Sequence, residues 1–151
     1  MATYPNRIHR KGDFAHEEMV ANEAGIYPGM LLKMDANGEV GRHDDKGGAL
    51  GDEVLIAEED ALQGNTVDTV YADESIVSVI IPQRGTVVRM LLAEDEVLTV
   101  GEKVCSAGNG CIRSVDDIDS PSEVLHVIGV AEEAKDLASG AGNALVDIRI
   151  V

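Results

Sequence analysis

Aromatic residues are nearly absent from this chain of 151 residues: no Trp, one Phe and three Tyr. A core without large rings has to be built from Val, Ile, Leu, Ala and Met in many small pieces. Cysteine is equally scarce. Cys105 and Cys111 are too few for a disulfide scaffold or a four-thiolate zinc site, so both are read as reduced, buried small residues. No apolar run approaches the roughly 18–20 residues a membrane span needs, and the N-terminus lacks the apolar segment of a signal peptide. The expectation is a soluble chain made in a cytoplasm, without membrane contact.

Basic charge is the third shortage: 12 Lys and Arg stand against 28 Asp and Glu, a formal net charge of −16. A body of that sign repels nucleic-acid phosphates, which argues against a nucleic-acid partner. The charge is also uneven. Residues 1–12 hold Arg7, Arg10 and Lys11 and no acid. A basic leader therefore precedes a strongly acidic body.

The length fits one ordinary domain. Residues 1–24 are polar and offer at most a short helix from Asp13 to Ala24, so they read as a flexible N-terminal arm, mobile in isolation. From Gly25 to Val151 the sequence breaks into short apolar runs punctuated by Gly, Asn, Asp and Pro, the pattern of an all-β fold. Ala144, Val146, Ile148 and Ile150 alternate with Asp147 and Arg149, a period of two that marks a closing strand. Ser75–Ile81 and Val124–Ala131 carry apolar residues on both faces and read as covered strands. Gly85–Leu92 reads as a strand with Val88, Met90 and Leu92 on one face. Two hairpin units recur 72 residues apart, Gly29 followed by Asn37-Gly38 and Gly101 by Asn109-Gly110. Ala131–Ser139 reads as a strand end and a loop, in spite of its helix-favouring composition.

Catalytic patterns are missing. His9 and His16 fall in the arm, His43 in a loop, and His126 among strand valines, where a core or interface role fits best. Asp35-Ala36-Asn37-Gly38-Glu39 has the start of a calcium loop, but the sixth and twelfth positions are Val40 and Lys46 rather than Gly and Glu, so it reads as a hairpin turn. Asp116, Asp117 and Asp119 read as a solvated loop. No Walker A, G-x-G-x-x-G or G-x-S-x-G pattern occurs, and Gly47-Gly48 is a loop. Catalytic residues, metal ligands and cofactors are accordingly expected to be none.

Gly85-Thr86-Val87-Val88 with Val100-Gly101-Glu102-Lys103-Val104 looks like the lead strands of a biotinyl or lipoyl carrier domain. The modifiable lysine of such a domain is missing downstream, and the only Lys-Met pair, Lys33-Met34, lies upstream in an apolar run. A dUTPase-like trimer shares the size and β-character without the nucleotide-binding motifs.

Taken end to end, the sequence resembles the small decoration, or cement, proteins of tailed-phage heads. The likeness runs through Asn6-Arg7-Ile8-His9-Arg10-Lys11-Gly12-Asp13, Ile26-Tyr27-Pro28-Gly29, Asn37-Gly38, Val100-Gly101-Glu102-Lys103-Val104, Gly108-Asn109-Gly110, Ile128-Gly129-Val130-Ala131 and the C-terminal strand. It implies a compact β-barrel or β-tulip-like body with an extended N-terminal arm. Such a body is often a homotrimer on the outer surface of an expanded head, bound to the major capsid protein and bridging neighbouring capsid subunits. The arm would order on the shell, making Arg7, Ile8, Arg10 and Lys11 the candidate capsid contacts. Another virion component, a head-fibre base or a tail-tube-associated protein, is the structural alternative. A small enzyme or carrier domain is the alternative from another class.

Overall fold

The computed structural model describes residues 7–48, 53–117 and 126–151. Thirteen strands run through them: β1 (His9–Lys11), β2 (Phe14–Val20), β3 (Leu31–Met34), β4 (Val40–Arg42), β5 (Leu55–Ala57), β6 (Ile76–Pro82), β7 (Val87–Leu92), β8 (Val97–Leu98), β9 (Lys103–Gly108), β10 (Cys111–Ser114), β11 (Gly129–Ala131), β12 (Lys135–Asp136) and β13 (Ala144–Ile150). Helical turns among the described residues are limited to two short 3-10 segments, Ala61–Gln63 and Val115–Asp117. The fold is all-β.

Ten of the strands form two small barrels, while β1 adds to β7, and β8 and β12 pair as a separate two-stranded sheet. In the first, β7-β10-β9-β11-β13 closes on itself because β13 also pairs with β7, from Ala144 opposite Leu92 to Arg149 opposite Val87. The alternation seen in sequence sets its lining. Val88, Met90 and Leu92 meet Val146, Ile148 and Ile150 across the interior, with Val104 and Ile112 from β9 and β10. Gly129 in β11 is squeezed in this wall: a Cβ there would lie 2.6 Å from the Arg149 carbonyl oxygen, so only glycine admits the strand spacing.

The second sheet runs β2-β6-β5-β3-β4 and closes through a single bridge, Ala21 to Val40. Leu32, Val40, Leu55, Ala57, Val77 and Val79 line its interior. Leu31, Ile56 and Ile80, from the opposite faces of the same strands, join the first core. Strands buried on both faces show no clean alternation, which is how Ser75–Ile81 reads and how β6 is built. Both expected hairpins are present, as β3–β4 in one barrel and β9–β10 in the other. At the second, Asn109 and Gly110 both take positive φ, as a two-residue hairpin turn requires.

Backbone hydrogen bonds on the side of β7 away from β13 tie in three segments, and the middle one joins the barrels. Arg89 N–H donates to the Ile8 carbonyl at 2.8 Å, Leu91 N–H to Gly29 at 2.9 Å, and Ala93 N–H to Ile112 at 3.0 Å. Gly29 N–H in turn donates to the Ala57 carbonyl of β5 at 2.8 Å, so one glycine joins a strand from each barrel. Its φ of 90° and the Leu145 methyl, 2.5 Å from where a Cβ would sit, exclude larger residues. The tip of β9–β10 makes a second weld: Leu31 N–H donates to Gly110 and Gly110 N–H to His43.

The segment expected to be a mobile arm differs most from its reading. Ile8 is fully buried in the first core, β1 pairs with β7, and β2 pairs with β6 through seven successive residues in place of a helix over 13–24. A seven-pair ladder outweighs the small helix preference of a polar stretch. Asn6 lies outside the described residues. The expected strand from Val124 falls partly outside them as well; within them it is confined to Gly129–Ala131. Ala131–Ser139 starts as the expected strand end, but Lys135–Asp136 forms the short β12 inside the expected loop by pairing with β8.

Two of these contacts give stability outcomes, the anchoring of the leader through Ile8 and the junction at Gly29. Ile8→Ala should cost about 2–4 kcal/mol, the usual range for emptying a buried aliphatic site, and deleting residues 2–12 should lower the melting temperature rather than leave it unchanged. Gly29→Ala should cost roughly 1–3 kcal/mol through forced positive φ. Chemical denaturation of each variant against the parent measures both, and unchanged midpoints would contradict the seam as described.

Candidate functional site

Three regions gather polar groups. The first contains the basic leader. Arg10 and Lys11 are exposed on β1, but Arg10 Nε lies 3.6 Å from Asp147 Oδ2, and the same carboxylate takes Arg89 Nε at 3.2 Å through Oδ1. The leader thus lies on its own acidic body. An exposed pair of this kind contributes at most about 1 kcal/mol, so Arg10 can exchange Asp147 for another carboxylate at little cost. Arg7 is exposed at the rim of a depression shared with Glu59 and Asp68. Ile8 cannot be a surface contact: its side chain is interior and its N–H donates to the buried Glu59 Oε2 at 3.1 Å. Of the four candidate contacts, the structure keeps Arg7, Arg10 and Lys11 on the surface and removes Ile8.

The second region joins β2, β5 and β6. His16 Nε2 is 2.7 Å from Ser78 Oγ, Ser78 Oγ donates to Glu58 Oε2 at 3.3 Å, and Tyr71 OH donates to the Glu58 carbonyl at 2.5 Å. A serine, a histidine and a carboxylate in contact invite comparison with a hydrolytic triad. The order is wrong, however. In a triad the acid holds the imidazole nitrogen remote from the serine, whereas Glu58 Oε2 approaches the same Nε2 at 3.8 Å and takes the serine proton itself. Burial pushes the Glu58 carboxyl above its usual range, with the neighbouring Glu59 charge adding to it, and burial pushes the Tyr71 phenol up to about 12. The other serine–histidine contact, His43 Nδ1 to Ser106 Oγ at 2.9 Å, is interior on both sides and closed to a substrate.

The third region is a groove of about 600 Å³ between the barrels, with Tyr27, Met30 and Leu145 on its apolar wall and Arg42, Asp68 and Asn109 around them. Sequence reasoning missed it, because its walls come from both barrels and no local motif announces it. Among the described residues no group of three or more His, Cys, Asp or Glu is placed to hold a metal. The Asp35 carboxylate is fully used by the hairpin turn, accepting from Asn37 N–H at 2.8 Å, Glu39 N–H at 3.0 Å and the Asn22 amide at 3.0 Å. His126 lies outside any strand, its N–H donating to the Gly47 carbonyl. Asp119 lies outside the described residues. Cys105 and Cys111 are free thiols, both buried. No helix among the described residues is long and apolar enough to cross a membrane.

No family model matches this sequence, and no curated protein matches it. A comparison of folds does find a counterpart. The N base of the head fibre gp8.5 of bacteriophage phi29, a crystal structure, superposes with a TM-score of 0.56 over 92% of this chain and 95% of that one, at 12% identity. The fold is similar to a phage head-fibre base. The match spans both barrels, so the double-barrel arrangement itself, rather than one hairpin motif, is what the two chains share.

The shifted Glu58 gives a pH prediction. Its folded pKa lies above the ordinary 4.5, so the protonated form is favoured by folding; that contribution is complete below pH 4.5 and is lost as pH rises through the raised value. Glu58→Gln should therefore melt higher than the parent at pH 7 and converge with it below pH 4.5. Melting curves across that interval check this, and a variant less stable at pH 7 would contradict it.

Proposed function

We propose that this chain is a non-catalytic structural component of a tailed-phage virion, attached to the outer surface of the head through the major capsid protein. The observation that carries this reading is the whole-chain fold likeness to a head-fibre base. The order of turn and strand motifs that resembles head decoration proteins points to the same location. The surface chemistry agrees with a protein partner: a net charge of −16 disfavours packaged DNA, and the polar clusters described above serve the fold's own strands.

Within this reading the body acts as a cement protein that bridges neighbouring capsid subunits, and it assembles as a homotrimer on the shell. Exposed Leu62, Ile76 and Val100 supply apolar surface for such contacts. A fibre base is the second reading, favoured by the identity of the structural counterpart. The two differ in what the protein does to the shell: cement raises the temperature at which heads release DNA, whereas a fibre base leaves it unchanged.

The test is cosedimentation of the purified chain with immature and expanded heads, followed by thermal release of DNA from decorated and bare particles. Binding to expanded heads with a raised release temperature is the expected result. A chain that stays in the supernatant with both kinds of head would remove the capsid assignment.

A further inference from the structure

Strand β2 is paired on one edge only. At its two ends Ala21 N–H donates to the Ser75 carbonyl and Gln83 N–H to the Asp13 carbonyl. Those bonds fix the parity of the antiparallel ladder: the odd-numbered residues from Asp13 to Ala21 face β6, and the N–H and C=O groups of Phe14, His16, Glu18 and Val20 point the other way. The parallel Ala21–Val40 bridge takes up the Val20 carbonyl, and among the described residues no backbone partner meets those of Phe14, His16 and Glu18. The second barrel is laced at the Ala21–Val40 bridge alone and gapes along the rest of β2. The strand is also wet on both faces, since Ala15, His16, Glu17 and Glu18 are all exposed, although Glu17 stands opposite Val79 on the side that faces the second core.

A free strand edge is a template for another strand, and proteins ordinarily blunt such edges. Here the edge carries no proline and is blunted only by Glu17 and Glu18. Those two carboxylates decide what can pair with it. A second copy would bring a net charge of −16 toward the same charge and set this glutamate pair near its counterpart, which is unfavourable in a strand pair. A strand bearing Lys or Arg meets the opposite situation, with the half-buried Glu58 close behind the edge as well.

We propose that the free edge of β2 receives an extended basic segment of the shell protein, which adds to the second sheet as a new strand with its cations against Glu17 and Glu18. The proposal rests on the head-attachment reading and names the surface that carries it. Main-chain hydrogen bonds to Phe14, His16 and Glu18 give the affinity, and the glutamates select sign and register. The groove between the barrels and the Arg7–Lys11 leader are not part of this contact.

The ladder parity supplies the test. Glu18→Pro removes a donor from the free edge and none from the β6 ladder, and proline is tolerated on an exposed edge. The full-length variant should melt close to the parent and bind expanded heads at least about tenfold more weakly, the scale of one or two lost backbone hydrogen bonds. Glu17→Lys with Glu18→Lys keeps the backbone intact and should weaken head binding as much, whereas binding by the parent should fall with salt. If Glu18→Pro proves unstable, the double lysine variant and hydrogen exchange of the parent decide: the His16 and Glu18 amides should exchange fast in the free protein and become protected on heads. Parent-like binding by the double lysine variant, or fast exchange that persists on heads, overturns the edge proposal while leaving head attachment standing. Failure of the parent itself to bind heads overturns both.

Discussion

Three alternate amides along β7 and the residue after it hold this molecule together. Arg89 and Leu91 of β7 and the following Ala93 donate to Ile8, Gly29 and Ile112, segments from the start, the first quarter and the last third of the chain. Because Gly29 passes the connection on to Ala57, the first barrel cannot shift against the second without breaking bonds in both. Each barrel has a core of its own, and neither core contains a buried Phe or Trp. Val, Ile, Leu, Ala and Met supply small pieces of apolar surface, and Leu31, Ile56 and Ile80 spend theirs on the neighbouring barrel's core. Strands buried on both faces are how a chain with a single Phe and no Trp fills two adjacent interiors.

That solution has a consequence at the far side. Once β3, β5 and β6 are committed on both faces, the residues left to close the second barrel are the polar ones of β2, and they close it at one corner only. The acidic body is left with an edge along Phe14 to Glu18 whose outward hydrogen-bonding groups are unspent and which carries Glu17 and Glu18. The leader, by contrast, is already engaged with Asp147 and the first core. In the proposed contact, recognition surface and fold surface are exchanged relative to a simple arm-and-body arrangement: Ile8 and Arg10 serve the body, and the open acidic edge meets the partner.

Much of the first barrel was legible in the sequence, because a strand with one wet face must alternate. Val146, Ile148 and Ile150 against Asp147 and Arg149 is that rule written out, and Asn109-Gly110 signals its turn through the positive φ it needs. The first twenty residues were not legible for the opposite reason. Strand β2 is exposed on both faces, so it has no apolar period, and its strand character comes wholly from a backbone ladder with β6 some sixty residues away. The burial of Ile8 depends on a single apolar residue in a polar leader, where neighbours give no hint. Gly29 and Gly110, which weld the barrels, act through the main chain, and the sequence marks them only as turns. Site residues divide along the same line: the exposure of Arg7, Arg10 and Lys11 follows from their charge, while the Asp147 partner, the groove and the free edge are products of topology.

Electron cryomicroscopy of expanded heads saturated with the protein tests the central claim most directly. The account predicts double-barrel density on the outer surface, oriented with β2 toward the shell and continuous with one additional strand along its free edge. Heads bare of that density under saturating protein, or double barrels standing with β2 turned to solvent, would contradict it.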